Sequence, residues 1–340
     1  MKKINFFVVS SPWHYYIANY MVMTLDEFSE SENVLYIVRT DINVIDKADN
    51  WLSIIYANKD LYSSNLLFAK SLVKKELATL ETLFCDYDSV IMFLPTLYKW
   101  NNILYNHFLK DDKKYHYFNF PDGNDSFYFK KVNRKTLYGR WLKCLISKFC
   151  GIEYFWHDCF RYDYVGISLA ERVYSYIPEN LKYHIDCEIK RIPLVKNRKE
   201  INVNNDRICI FLGQVIEFGM KNDTKHKITE CFKYIQAREE NIKIFYKPHP
   251  REKVELVKEY LDKYGFEIMR DKEAIESVIR NVSVKTIYSF YSSALINLKI
   301  MFGENIECVA YKGLEFYEVQ EENANVLKDI YRNLGIEYIS

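Results

Sequence analysis

A chain of 340 residues has room for two domains or one large α/β domain. Apolar residues make up 49%, too many for a disordered chain, and a net charge of +1 provides no global field for nucleic acid. Aromatic content is 16%, with 29 Tyr and 22 Phe, so single aromatics carry little weight as binding signals.

The chain opens Met1-Lys2-Lys3 and then Ile4-Asn5-Phe6-Phe7-Val8-Val9. That run is too short for a signal-peptide core, and it reads as a buried strand over 4–9. Ser10-Ser11-Pro12 follows as a turn, and a helix is expected over 13–25. Strand, short polar turn and helix open a doubly wound α/β domain. Strands are expected at 33–39, 89–94 and 115–120, with a helix over 66–84. No G-x-G-x-x-G occurs and only 10 glycines are present, which excludes a dinucleotide fingerprint. No apolar stretch is long enough to span a membrane.

The polar, Pro-containing segment 192–206 marks a domain boundary, dividing the chain into 1–195 and 205–340. A second α/β series follows it. Strands are expected at 207–212, 242–246, 266–269, 285–289 and 306–310. Helices are expected at 225–237, 252–264, 274–282 and 294–302. The fold class is α/β and GT-B-like: by analogy, two Rossmann-like domains facing a central cleft.

The most informative segment is Lys247-Pro248-His249-Pro250-Arg251, placed where a strand ends. Two prolines restrict the histidine's backbone, and cations flank it. One fixed titratable donor with positive charge on both sides suits a phosphate. An ordinary Pro-rich loop would look the same. Phe120-Pro121-Asp122-Gly123-Asn124-Asp125 also ends a strand, where α/β folds place ligands. Asp122 there could serve as a general base, and Gly123 would permit a tight turn. P-D-G is equally a common turn. At Ser289-Phe290-Tyr291-Ser292-Ser293 a strand gives way to a helix, so Ser292 or Ser293 can cap it and its free N–H groups can receive an anion. Gly213, after the first strand of the second half, could let backbone approach a nucleotide or could simply end the strand.

Taken in order, Asp122-Gly123, His249-Pro250 and Ser292-Ser293 resemble the three motifs of bacterial sialyltransferases. The nearer likeness is to glycosyltransferase family 52, the lipooligosaccharide sialyltransferases; the capsule polysialyltransferases share the motifs more distantly. The resemblance covers most of 205–312 and is thinner before it. It implies a CMP-sialic acid donor, a glycan acceptor whose hydroxyl belongs to galactose, and inverting transfer without a metal cofactor. It also implies Asp122 as base, His249 as the group that meets the leaving phosphate, and Ser292 and Ser293 as further donors. Lys247, Pro248 and Pro250 frame the nucleotide, and Glu276 contacts the ribose unless it is only an exposed helix charge. The family pattern usually has two acids before the glycine. Here the first position is Pro121, and Asp125 could compensate. Another CMP-nonulosonic acid, a different nucleotide sugar, or non-catalytic binding are the alternatives.

Two features lie outside these motifs. Lys130, Lys131, Arg134, Lys135, Arg140, Lys143 and Lys148 occur with no acid among them, interleaved with Trp141, Leu142, Leu145, Ile146 and Phe149. Such a segment can lie peripherally on an anionic membrane, or pack its apolar side inward and leave the basic face solvated. The eight cysteines are scattered without a C-x-x-C pair, and His157 and Cys159 match no standard zinc spacing. That pattern reads as reduced thiols in a cytoplasmic protein. Asp86-Tyr87-Asp88 has D-x-D spacing but precedes its strand, and Asp111-Asp112 lies in a Lys-rich loop. Neither is expected to hold a metal.

Overall fold

The fold is given by a computed structural model of the whole chain. It describes all residues except 40–41, 43–48, 64–68, 98–99, 110–112, 123–126, 128–129, 132–133, 153–161, 164–166, 182–186, 194–206, 215–223, 250–251, 271–272, 280–281 and 318–320. Two compact units result, Met1–Pro193 and Leu194–Ser340.

The first unit begins with β1 (Lys3–Val9) and α1 (Pro12–Thr24). Ser11 caps α1 by accepting the His14 N–H, and Pro12 occupies the first turn, where its missing donor costs nothing. Next come β2 (Glu32–Ile37), β3 (Trp51–Tyr56), α2 (Asp60–Ser63), α3 (Lys70–Phe84), β4 (Ser89–Leu94), α4 (Trp100–Leu104) and β5 (Tyr115–Asn119). The unit closes with β6 (Lys130–Lys131), α5 (Arg134–Cys150), β7 (Tyr162–Asp163), β8 (Arg172–Ser175) and β9 (Glu188–Arg191). A parallel sheet runs in the order β3-β2-β1-β4-β5-β8-β9. Both its faces are covered, which is why β1 and β4 read as unbroken apolar runs. On one face Ile4, Phe6 and Val8 join Leu80, Phe84 and Val90 in the core. On the other, Phe7 stacks on Phe93 with ring centroids 4.0 Å apart.

The second unit holds β10 (Ile208–Leu212), α6 (Thr224–Arg238), β11 (Ile244–Lys247), α7 (Lys258–Lys263), β12 (Glu267–Ile268), α8 (Ile275–Val278) and β13 (Val284–Ser289). It continues with α9 (Ser293–Phe302), β14 (Glu307–Tyr311), α10 (Gly313–Phe316), α11 (Glu321–Leu334) and β15 (Glu337–Ile339). Its parallel sheet runs β12-β11-β10-β13-β14-β15. Cys209 and Phe211 pack with Phe232, Tyr246 and Phe290 in a core on one face.

Each unit therefore has doubly wound order, with chain direction reversing beside its first strand. The reversal lies between β1 and β4 in one unit and between β10 and β13 in the other. Ligands of such sheets bind beyond the strand ends at that point.

Several expected elements shift. The helix expected over 252–264 is a 3₁₀ turn at Val254–Leu256 followed by the short α7. Of the one expected over 274–282, the described residues form α8 and its C-cap. Edge strand β3, short strands β8 and β9, and the closing α11 and β15 are elements that the apolar patterning left unassigned. The boundary segment lies mostly outside the described residues, as do Gly123, Asp125, Pro250 and Arg251.

Candidate functional site

In the first unit, the end of β1 and the start of α1 bring a histidine to Asp122. Ser10 ends the strand, Ser11 caps the helix, and His14 sits in the first helical turn. The His14 ring is buried, with Nδ1 lying 3.3 Å from the Ser10 N–H and 3.2 Å from the Ser10 hydroxyl oxygen. A backbone N–H can only donate, so it places a lone pair on Nδ1 and the proton on Nε2. Nε2 meets Asp122 Oδ1, which accepts that proton's hydrogen bond.

The Asp122 side chain keeps 28% exposure, enough to be reached from solvent. Its walls are aromatic and apolar. Phe120 meets the His14 ring edge-on, and the ring of buried Tyr176 packs against Trp13. Burial, reinforced by the Asp122 charge, pushes the Tyr176 phenol well above its usual range. Its hydroxyl finds no hydrogen-bond partner among the described residues. Asp122 is thus more than a turn residue: it is a carboxylate oriented by a histidine 108 positions earlier in the chain.

In the second unit, the loops that follow β10, β11 and β13 are tied to one another. Gly213 N–H donates to the Lys247 carbonyl at 2.9 Å. Ser289 Oγ donates to the Leu212 carbonyl at 3.2 Å, and the Tyr291 N–H donates to Gln214 Oε1 at 3.2 Å. His249 is fixed through its backbone, since its N–H donates to Glu252 Oε2 at 3.0 Å. Tyr246 OH donates to the other Glu252 oxygen. Burial pushes the Glu252 carboxyl above the usual carboxylate range, although these donors favour its charged form.

Gly213 has a local packing task besides the one its position implied. A side chain there would stand 2.3 Å from Glu252 and 2.6 Å from the Tyr246 hydroxyl. The missing Cβ makes room for the pair that holds His249. Gly313 is similar: a Cβ would meet the Phe290 carbonyl oxygen at 1.6 Å. Its bare backbone supports the loop that carries the two serines.

Ser292 is the N-cap of α9, accepting the Ala294 N–H at 3.2 Å, and Ser293 is the first helical residue. Both are partly exposed at a helix N-terminus, where free N–H groups and the dipole favour an anion. Glu276 is not a solvated helix charge. It is partly buried in the first turn of α8, accepts Asn297 Nδ2 from α9 at 3.2 Å, and is pushed up by burial. Lys247 is buried at the end of β11, and Pro248 follows it.

Among the described residues no group of His, Cys, Asp and Glu could hold a metal ion. Asp88 Oδ2 accepts the Lys2 N–H at 2.7 Å, at the start of the sheet's strands. The described cysteines are free thiols. Burial raises those of Cys209 and Cys308 to about 12, too high for ready ionisation. His157, Cys159, Asp111 and Asp112 lie outside the described residues.

His14, Glu252, Asn297 and Gly313 were not singled out by the sequence. His14 carried one usable signal: a titratable residue in the first turn after the central strand stands where doubly wound sheets bind ligands. The others act through neighbours that only the folded loops bring close.

A model of the family described as alpha-2,8-polysialyltransferase matches residues 5–309. No curated protein matches the chain. Among solved structures, a UDP-N-acetylglucosamine 2-epimerase is similar at 13% identity and a TM-score of 0.50, covering 96% of this chain and 82% of that one. The Phytolacca americana UGT2 complexed with UDP-2-fluoro-glucose and pterostilbene is similar at 8% identity and a TM-score of 0.50, covering 99% and 85%. A sialyltransferase from Photobacterium damsela shows 13% identity and a TM-score of 0.47, covering 100% and 82%. The two Rossmann-like units are those of the GT-B fold class.

Proposed function

The chain belongs to the alpha-2,8-polysialyltransferase family and is a glycosyltransferase that transfers sialic acid; from that premise we propose its donor, acceptor and chemistry. The donor is CMP-sialic acid and the acceptor a hydroxyl of a bacterial surface glycan, such as a capsule polymer or lipooligosaccharide. The lipooligosaccharide class rests on the motif likeness to glycosyltransferase family 52. The acceptor oxygen attacks the anomeric carbon of the sialic acid, the bond to the CMP phosphate breaks, and configuration inverts. Asp122 takes the acceptor hydroxyl's proton. His14 orients Asp122 through its Oδ1.

His249 meets the departing phosphate with a hydrogen bond or proton, and Ser292, Ser293 and the α9 N-terminus add donors where negative charge develops. Gly213, Lys247, Pro248 and Pro250 shape the nucleotide side, and Glu276 receives the ribose hydroxyls. Gly123 and Asp125 belong to the acceptor side. No metal takes part, so a chelator should leave the rate unchanged. The free thiols suit a reducing compartment, and we place the enzyme in the cytoplasm.

The observation that carries the base assignment is the His14–Asp122 contact. A turn aspartate would need no buried partner, whereas a base needs a fixed orientation. Pro121 removes the acid that commonly precedes this position, and His14 supplies the missing neighbour on the other side.

One experiment tests donor and acceptor together. The protein is incubated with CMP-sialic acid and either a galactose-terminated or a sialic acid-terminated oligosaccharide, while CMP release and product mass are followed. Product with one acceptor supports the reading and names its class. A protein stabilised thermally by UDP or GDP but not by CMP, and yielding no product, would refute the CMP donor.

A further inference from the structure

Helix α5 (Arg134–Cys150) presents an apolar face to solvent. Tyr138 is 64% exposed, Trp141 50%, Leu142 40% and Phe149 90%. With the half-buried Leu145 they follow i, i+3, i+4, i+7 and i+11, so they share one face of the helix. The Tyr138 and Trp141 rings lie side by side, centroids 6.0 Å apart. Fully buried Ser147 shows that another side of the same helix is packed inward. The reading in which the apolar side packs and only a basic face meets water therefore fails for these residues.

A soluble chain seldom gathers exposed Tyr, Trp, Leu and Phe on one helix, and such a patch marks a contact surface. Its charge selects the occupant. Arg134, Lys135 and Lys148 are exposed on the helix, and no acid occurs from 130 to 148. Aromatic rings with apolar neighbours, bordered by cations, fit the interface of an anionic bilayer. The rings enter the headgroup boundary while the basic heads meet lipid phosphates.

We infer that α5 docks the enzyme peripherally on an anionic lipid surface through Tyr138, Trp141, Leu142 and Phe149. No helix among the described residues is long and apolar enough to cross a membrane, so this contact lies in the interface plane. The inference goes beyond the transfer reaction and does not depend on the donor; it would bring the enzyme to acceptors anchored in lipid.

The test is co-sedimentation of the full chain with vesicles of phosphatidylcholine alone or mixed with phosphatidylglycerol. Binding is expected only to the mixed vesicles and should weaken as salt is raised. Replacing Arg134, Lys135 and Lys148 by Gln should lower partitioning roughly fivefold per residue, the effect of one cation near an anionic surface. The variant Tyr138→Ser/Trp141→Ser/Phe149→Ser should abolish binding while circular dichroism and CMP release stay unchanged. Equal binding by wild type and the serine variant would overturn the proposal, as would wild type that ignores anionic vesicles. A self-association seen by sedimentation velocity and lost in the serine variant, with no vesicle binding, would assign the face to a second copy instead.

Discussion

The two ends of the second sheet differ in how they treat buried charge. Where the strands begin, charges are paired. Glu239 is buried, and burial alone would raise its carboxyl, but Lys285 at 2.8 Å and the Tyr288 hydroxyl hold it below the usual range. Arg238 bridges Glu307 and Glu337 close by. Where the strands end, Glu252 and Glu276 are pushed up by burial and receive only neutral donors among their described contacts. The first unit also places interactions at both ends of its sheet. Arg172, Lys190 and Tyr174 converge on Glu27 near the strand starts, whereas the His14–Asp122 pair stands at the strand ends. A charge met by its opposite stabilises the fold. A carboxylate left under-compensated costs stability and is ready to respond to a ligand.

The sharpest way to break this comparison is at His249. His249→Ala should lower kcat about 10²–10³-fold, the usual cost of a lost donor to developing negative charge. Stability should change little, because the Ala variant keeps the backbone N–H through which Glu252 holds that residue. Single-turnover CMP release and a thermal melt read the two effects, and a fall in melting temperature without a fall in rate would place His249 with the structural residues.

Glu239→Ala is the mirror experiment at the other end. It removes the acceptor of the buried Tyr288 hydroxyl and the partner of the half-exposed Lys285, and should cost about 1–3 kcal/mol in urea unfolding, as when a buried donor is left unsatisfied. The rate per folded molecule should not change.

Gly313→Ala comes next. The new methyl cannot coexist with the Phe290 carbonyl in its present position. Overpacking of this kind costs about 1–3 kcal/mol. Because the displaced loop carries Ser292, CMP affinity should fall with it, measurable by calorimetry. Unchanged CMP affinity would detach that loop from the donor.

The smallest effect is the pH response of Glu252. Its folded carboxyl is raised, so the folded state holds the proton more tightly than the unfolded one. Its contribution to stability is full below the ordinary carboxylate value and is lost as pH rises through the raised one. Glu252→Gln keeps an acceptor for Tyr246 and lacks that slope. The variant's stability relative to wild type should therefore increase from acid toward neutral pH in paired unfolding curves. The opposite trend would mean that the carboxylate is better compensated than its contacts imply.

Much of this division was legible in the sequence where the information is local. Runs such as Ile4–Val9 and Ile208–Leu212 announced strands buried on both faces, and turn chemistry after the strands marked Asp122, His249 and Ser292. The rest depends on strand order, which periodicity does not encode. His14 reaches Asp122 because β1 lies beside β4 and β4 beside β5. Gly213 read as a glycine that lets backbone approach a nucleotide or ends its strand; that it also leaves room for Tyr246 and Glu252 is a contact the sequence cannot show. Strand β3 escaped because an edge strand is only partly buried and its alternation is weak.

The most direct measurement is the transfer rate and melting temperature of Asp122→Asn, taken on one preparation with CMP-sialic acid and the acceptor that wild type uses. Asn keeps an oxygen for the His14 N–H and removes the base. The account predicts a loss of about 10²–10⁴ in kcat, the range for general-base catalysis, with the melting temperature essentially unchanged. A variant that transfers at the wild-type rate would contradict it.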